Sequence, residues 1–166
     1  MVYPPELLDA LESMGMEPWR GTVFRHMFND FPPERENTRG ARWNPPKTGA
    51  IYTSLKSETA LAEIEYHLSL QPVRPSVSRH MFTVDVEVEH LVDLSTDEAL
   101  QAAGLDTEAL AATYYATCQT VGGAVAWLGC GGMLVPSARA HGVNLVLFPH
   151  AGDNGYSFEV TNDELL

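Results

Sequence analysis

Residues 82–89 alternate without a break. Phe82, Val84, Val86 and Val88 are apolar, and Thr83, Asp85, Glu87 and Glu89 beside them are polar. Successive side chains of a strand point to opposite faces, so a period of two predicts a strand with one buried and one wet face. Such strands are at home in antiparallel sheets, whose second face is often solvated. Strands of a parallel sheet read instead as continuous apolar runs. The chain must therefore build a sheet with a core on one face of this segment only.

The other segments are shorter. Residues 5–14 predict a helix, with Leu7, Leu8 and Leu11 on one face and Pro5 suited to its first turn. A short strand is expected at 21–24, a loop at 31–39 with its two prolines, and another short strand at 49–53. Ser57 reads as the N-cap of a helix running to about Leu70, with Leu61, Ile64 and Leu68 as its core face. Residues 71–78 connect it to the alternating strand. Short helical pieces broken by Gly104 follow over 97–112, then a helix over 117–128. Three strand-like runs, 133–135, 143–148 and 156–160, close the chain, and Gly and Asn/Asp clusters between them predict hairpin turns. Strands and helices mix without a steady βαβ rhythm. The expected class is α+β, with a mainly antiparallel sheet core and flanking helices in a single domain over 1–166. Trp43 and Trp127 read as packing residues, and Cys118 and Cys130 as small buried hydrophobes.

Charge narrows the function classes. The chain carries 22 Asp and Glu against 10 Lys and Arg, for a net charge of −12. Yet seven of the ten cations (Arg20, Arg25, Arg35, Arg39, Arg42, Lys47 and Lys56) lie between residues 20 and 56, where only Asp30, Glu34 and Glu36 oppose them. That window is +4 and the remainder −16. We read it as an anion site in an otherwise acidic protein, in preference to a solvated basic loop. The overall acidity argues against duplex nucleic acid as the main partner, because neutralising phosphates needs a broad basic face. No run approaches the roughly 18 apolar residues of a membrane helix, and the N-terminus lacks the basic-then-apolar pattern of a secretory signal, so the chain reads as cytoplasmic. Neither the two cysteines nor the six histidines show metal spacing, and no metal is expected. No dinucleotide-binding glycine motif, phosphate loop or Gly-x-Ser-x-Gly elbow is present.

What remains is a set of separated motifs: Arg25 in VFRH, then Arg42-Trp43-Asn44-Pro45-Pro46, Ala50-Ile51-Tyr52-Thr53 and Glu58-Thr59-Ala60-Leu61-Ala62-Glu63. Far downstream come Leu134-Val135-Pro136-Ser137-Ala138-Arg139 and Asn144-Leu145-Val146-Leu147. In this order they resemble the RES-domain family, over roughly residues 20–160. The chain departs from the family at Lys47-Thr48-Gly49, where a glycine more often follows the prolines directly. The resemblance implies a toxin of a bacterial toxin–antitoxin pair with an ADP-ribosyltransferase-like fold. It also implies consumption of NAD+ at the nicotinamide–ribose bond, by phosphorolysis or hydrolysis, and an Xre-like antitoxin that blocks the active site. The excess acidity suits a basic partner surface.

Under that resemblance the residues take roles. Arginine forks suit the NAD+ pyrophosphate, so Arg25 and Arg42 are the expected clamps and Arg39 a bystander. Tyr52 is expected to stack on nicotinamide or ribose. Cleavage leaves neutral nicotinamide and builds positive charge on the ribose, so the site needs a nearby carboxylate and no acid. Glu63 is chosen by the ETALAE match, because the helical wheel alone leaves Glu63 and Glu65 open. Ser137 is expected to position ribose, phosphate or Glu63, and Asn144 to support the adjoining strand. If phosphate is the acceptor, Arg25, Arg42 or Lys47 are its expected ligands. A mono-ADP-ribosyltransferase acting on a host protein, and a catalytically silent binding module of the same fold, are the alternative readings.

Overall fold

In the computed structural model, which describes residues 2–152 and 155–166, six strands and five helices alternate irregularly along the chain. They are α1 (Pro5–Ser13), β1 (Glu17–Phe28), β2 (Ile51–Ser54), α2 (Ser57–Ser69), β3 (Arg79–Asp93), α3 (Asp97–Ala102), α4 (Thr107–Ala111), α5 (Ala116–Trp127), β4 (Gly132–Pro136), β5 (Val143–Leu147) and β6 (Tyr156–Leu165). The strands pair in the order β1-β2-β5-β4-β3-β6, and β1 also pairs with β3. That last pairing closes five strands into a barrel-like ring and leaves β6 flanking β3. All the pairings are antiparallel except β3–β4. The class is α+β with a mostly antiparallel sheet.

The period-two strand is the spine of this arrangement. Val84, Val86 and Val88 are buried inside the ring with Val23, Ile51, Leu91, Leu134, Leu145 and Leu147, while Asp85, Glu87 and Glu89 are exposed. β4 and β5 are covered on both faces, which explains their largely apolar composition. Their alternate residues Met133, Val135 and Val146, with Phe148 just after β5, belong to a second core, with Leu7 and Leu11 of α1 and Val121, Ala124 and Val125 of α5.

Several boundaries differ from the sequence expectation, and each difference has a non-local cause. β1 runs for twelve residues, not four, because β3 recruits its backbone from Glu17 to Phe28. Polar pairs suit that ladder: Arg20 bridges Glu87 at 2.9 Å and Thr22 donates to Asp85 at 2.8 Å. β6 does not form a hairpin with β5, since both edges of β5 are already taken by β2 and β4. It pairs instead with residues 80–88 of β3 and extends to Leu165. Its polar end, TNDE, escapes a periodicity reading but suits an exposed edge strand, where charge discourages further pairing. Asp153 and Asn154, part of the turn cluster expected before it, lie outside the described residues.

The cap of α2 is Lys56 in an extended conformation, with no side-chain capping bond, and Ser57 is the first helical residue. Its buried residues are Thr59, Ala60 and Leu68, so the core face is rotated from the Leu61/Ile64/Leu68 stripe. Trp127 is 64% exposed at the end of α5, tilted against Tyr3, and is not a core residue; Trp43 is 2% exposed and is one. Lys47 has φ +76°, the left-handed conformation that glycine adopts without steric cost. The turn thus takes at Lys47 the backbone shape that suits a glycine.

Candidate active site

The RWNPP loop, β2, α2 and the β4–β5 connection meet at a cleft of about 400 Å³, within the usual range for small-molecule sites. Arg25, Arg42, Tyr52, Glu63 and Asn144 all line it. Ser137 joins them through Glu63: its hydroxyl donates to Glu63 Oε1 at 2.5 Å. The Asn144 amide donates to the same oxygen at 3.0 Å, and Asn144 is itself held by the Ser54 hydroxyl at 2.8 Å. Among the described residues no donor reaches Oε2. The carboxylate is therefore fixed by one oxygen and presents the other. Glu65, two residues on, points away and bridges Arg74 at 2.9 Å and Arg79 at 3.1 Å.

The loop that carries Arg42 is held from beneath. Asn44 is fully buried; its amide donates to the carbonyls of Asn37 and Thr48 at 3.1 and 2.8 Å. Its Oδ1 accepts the Tyr52 hydroxyl at 2.6 Å, and that hydroxyl accepts the Trp43 N–H at 2.9 Å. Burial raises the Tyr52 pKa far above the usual phenol range, so it stays protonated. The tyrosine thus ties loop to strand with its hydroxyl while its ring lines the cleft. Arg42 donates to the Ala112 carbonyl at 3.2 Å and lies over the Tyr115 ring, 4.5 Å from its centroid.

Arg25 is placed differently from a free clamp. Its guanidinium donates to the carbonyls of Tyr52 and Arg35 at 3.2 and 2.6 Å, and its Nε to the Met27 sulfur. Burial lowers its pKa to about 10, with Glu34 opposing the shift. Several of its donors already serve the protein, so it forms the floor of the cleft. Arg39 and Lys47 are exposed and do not line the cleft.

Among the lining residues to which sequence reasoning gave no role are His26, Ser54, His67, Tyr115 and Arg139. Arg139 was quoted within the LVPSAR motif, and its position two residues after Ser137 was the signal. Tyr115 offered none, because only the packing of α5 brings its cap residue to the loop.

His26 makes the site's surroundings pH-sensitive. Arg79 Nε donates to His26 Nε2 at 3.0 Å, so the ring proton sits on Nδ1, which is buried without a partner. Burial, then the Arg79 charge, hold its pKa down at about 4; Glu65 opposes and His80 adds to the shift. The unfolded chain takes up this proton near pH 6.5 and the folded one only near 4, so stability is lost as pH falls through that window. Discounting for partial solvation, urea unfolding at pH 7 and pH 5 is expected to show wild type losing about 1 kcal/mol more than His26→Gln. Equal losses in the two proteins would remove His26 as the cause.

The RES domain family model matches residues 17–165. Among curated proteins the chain is 28% identical over 149 residues to NAD(+) phosphorylase MbcT of Mycobacterium tuberculosis and of Mycobacterium bovis, covering 85% of this chain and 79% of each relative. Among solved structures it is similar to the M. tuberculosis MbcT–MbcA toxin–antitoxin complex. The TM-score is 0.86 at 25% identity, covering 98% of this chain and 93% of that one.

Proposed function

Because the chain belongs to the RES domain family, we propose that it is a toxin that destroys NAD+ by phosphorolysis, releasing nicotinamide and ADP-ribose-1″-phosphate. The observation that carries this reading is the Glu63 carboxylate, which lines the cleft and is held on Oε1 by Ser137 and Asn144, with no donor at Oε2 among the described residues. An ionised oxygen held in place beside a ribose stabilises the oxocarbenium-like transition state without reorganising during the reaction. Nicotinamide departs neutral and needs no proton, so one carboxylate is enough. The likeness to MbcT, whose name states NAD(+) phosphorylase, supports phosphate as the acceptor.

The remaining residues divide the binding. Arg42, over the Tyr115 ring, offers its outer N–H groups to the pyrophosphate. Arg25 adds positive potential from the floor, and the Tyr52 ring forms the wall against nicotinamide or ribose. Asn144 and Ser137 aim Glu63, and neither acts as a nucleophile. The similarity to the MbcT–MbcA complex supports a cognate antitoxin as partner, which in this reading is Xre-like and covers the cleft. We further assign the whole of 1–166 to one RES domain with an ADP-ribosyltransferase-like core, acting in the cytoplasm where NAD+ is available. Among the described residues no helix is long and apolar enough to cross a membrane.

Incubation of the antitoxin-free protein with NAD+, with and without phosphate, tests the reading by mass spectrometry. ADP-ribose-1″-phosphate formed only with phosphate is the expected product. ADP-ribose alone would make the enzyme a glycohydrolase, a mass shift on an added protein would make it a transferase, and intact NAD+ would leave a silent module.

A further inference from the structure

Inorganic phosphate, the second substrate of that reaction, needs a cation beside the scissile bond that protein acceptors have not already taken. Arg25 is turned to the Tyr52 and Arg35 carbonyls, the free N–H groups of Arg42 are assigned above to the pyrophosphate, and Lys47 lies outside the cleft. Arg139 meets the requirement. It is half-buried and lines the cleft, and among the described residues its guanidinium has no hydrogen-bond acceptor and no carboxylate within 4.0 Å. Its guanidinium carbon lies 3.7 Å from the centroid of the Tyr66 ring.

Two connections tie this cation to the reacting carboxylate. Tyr66 follows Glu63 by three residues on α2, and residues so spaced are neighbours on a helix surface. Stacking on that ring keeps the guanidinium fork flat and its edge N–H groups free for an anion. The backbone N–H of Arg139 also donates to the Ser137 hydroxyl at 3.2 Å, and that hydroxyl donates to Glu63. Loop and helix thus place a cation near the carboxylate without letting the two neutralise each other.

We propose that Arg139, stacked on Tyr66, binds the inorganic phosphate that attacks the ribose and so selects phosphorolysis over hydrolysis. The inference rests on the NAD+-phosphorolysis reading above. An oxygen of the hydrogen phosphate dianion forms a bond to C1″ of the nicotinamide ribose. The C1″–nitrogen bond breaks, and its electron pair goes to the pyridine ring, which leaves as neutral nicotinamide. The phosphate keeps its proton through this step, so no base is required. Attack by water must shed a proton, so a site that concentrates phosphate beside C1″ favours the phosphorylated product.

The test is steady-state kinetics with phosphate and NAD+ varied separately, and products resolved by mass spectrometry. Arg139→Gln is expected to raise the phosphate KM about 10- to 100-fold, the worth of one or two charge-assisted hydrogen bonds. It should leave the NAD+ KM within about twofold and raise the share of ADP-ribose. Tyr66→Leu should raise the phosphate KM by a smaller factor, and Tyr66→Phe, which keeps the ring, should restore it. An unchanged phosphate KM in Arg139→Gln, or a parallel rise in the NAD+ KM, overturns the assignment of Arg139. A wild-type enzyme that makes only ADP-ribose overturns the phosphorolytic reading itself.

Discussion

Glu63→Gln is expected to lower kcat for NAD+ cleavage by about 100- to 1,000-fold, the scale on which removing one preorganised electrostatic group acts. The substitution is chosen because it changes little else. A glutamine carbonyl can accept from Ser137 and Asn144 where Oε1 does now, so the network of Ser54, Asn144 and Ser137 keeps its geometry. What disappears is the charge that the proposed mechanism sets beside the ribose. Melting temperature should therefore hold while turnover falls. Glu65→Gln is the matched control: its carboxylate lies outside the cleft, paired with Arg74 and Arg79. Turnover in that variant should stay within about twofold of wild type. Activity that survives Glu63→Gln and is lost with Glu65→Gln would reverse the choice between the two carboxylates.

The second large effect is expected at a residue with no side chain. Gly122 lies buried in α5 against the RWNPP loop. A Cβ there would overlap the Trp43 carbonyl oxygen and lie 2.8 Å from its carbon. Both are backbone atoms and cannot swing aside, so helix and loop must separate. Trp43 is a core residue, and the neighbouring Arg42 lines the cleft, so a displaced loop costs stability and site geometry together. Alanine gains about 1 kcal/mol over glycine in a helix interior, and the overlap must exceed that. Gly122→Ala is expected to destabilise by about 2 kcal/mol net, a fall of roughly 4–8 °C in Tm for a chain of this size, with turnover lowered as well. At the adjacent Gly123 the nearest atoms to a Cβ are the hydroxyl end of the Tyr3 side chain, which can move. Gly123→Ala should therefore cost less, measured by the same thermal unfolding. A Gly122→Ala protein as stable and active as wild type would mean that helix and loop are not pressed together as described.

These two positions differ in how far the sequence announced them. Glu63 was reached through a motif, and the helical wheel alone left it level with Glu65. Gly122 carried no signal, since a glycine inside an apolar helix gives no indication of which surface approaches it. Arg25 shows the same limit from the other side. Its type and its basic neighbourhood suggested a clamp, but carbonyls of Tyr52 and Arg35, from β2 and the preceding loop, occupy its donors. Tyr52 was marked as a ring for stacking, and its hydroxyl proved to be the clip between Asn44 and the Trp43 backbone.

Residue order by itself determined the local features. The alternation over 82–88, the helices near 5–14, 57–70 and 117–128, the α+β class and the basic window all follow from periods and composition within a few neighbouring residues. Tertiary structure alone decided what depends on occupied edges and converging surfaces. β6 joins β3 because β5 has no free edge, β1 grows to twelve residues because β3 is there to pair with it, and Arg139 enters the cleft because the β4–β5 connection folds over Tyr66. Such outcomes are set by which backbone groups and rings remain unpartnered once the rest has packed, and no local window of sequence contains that information.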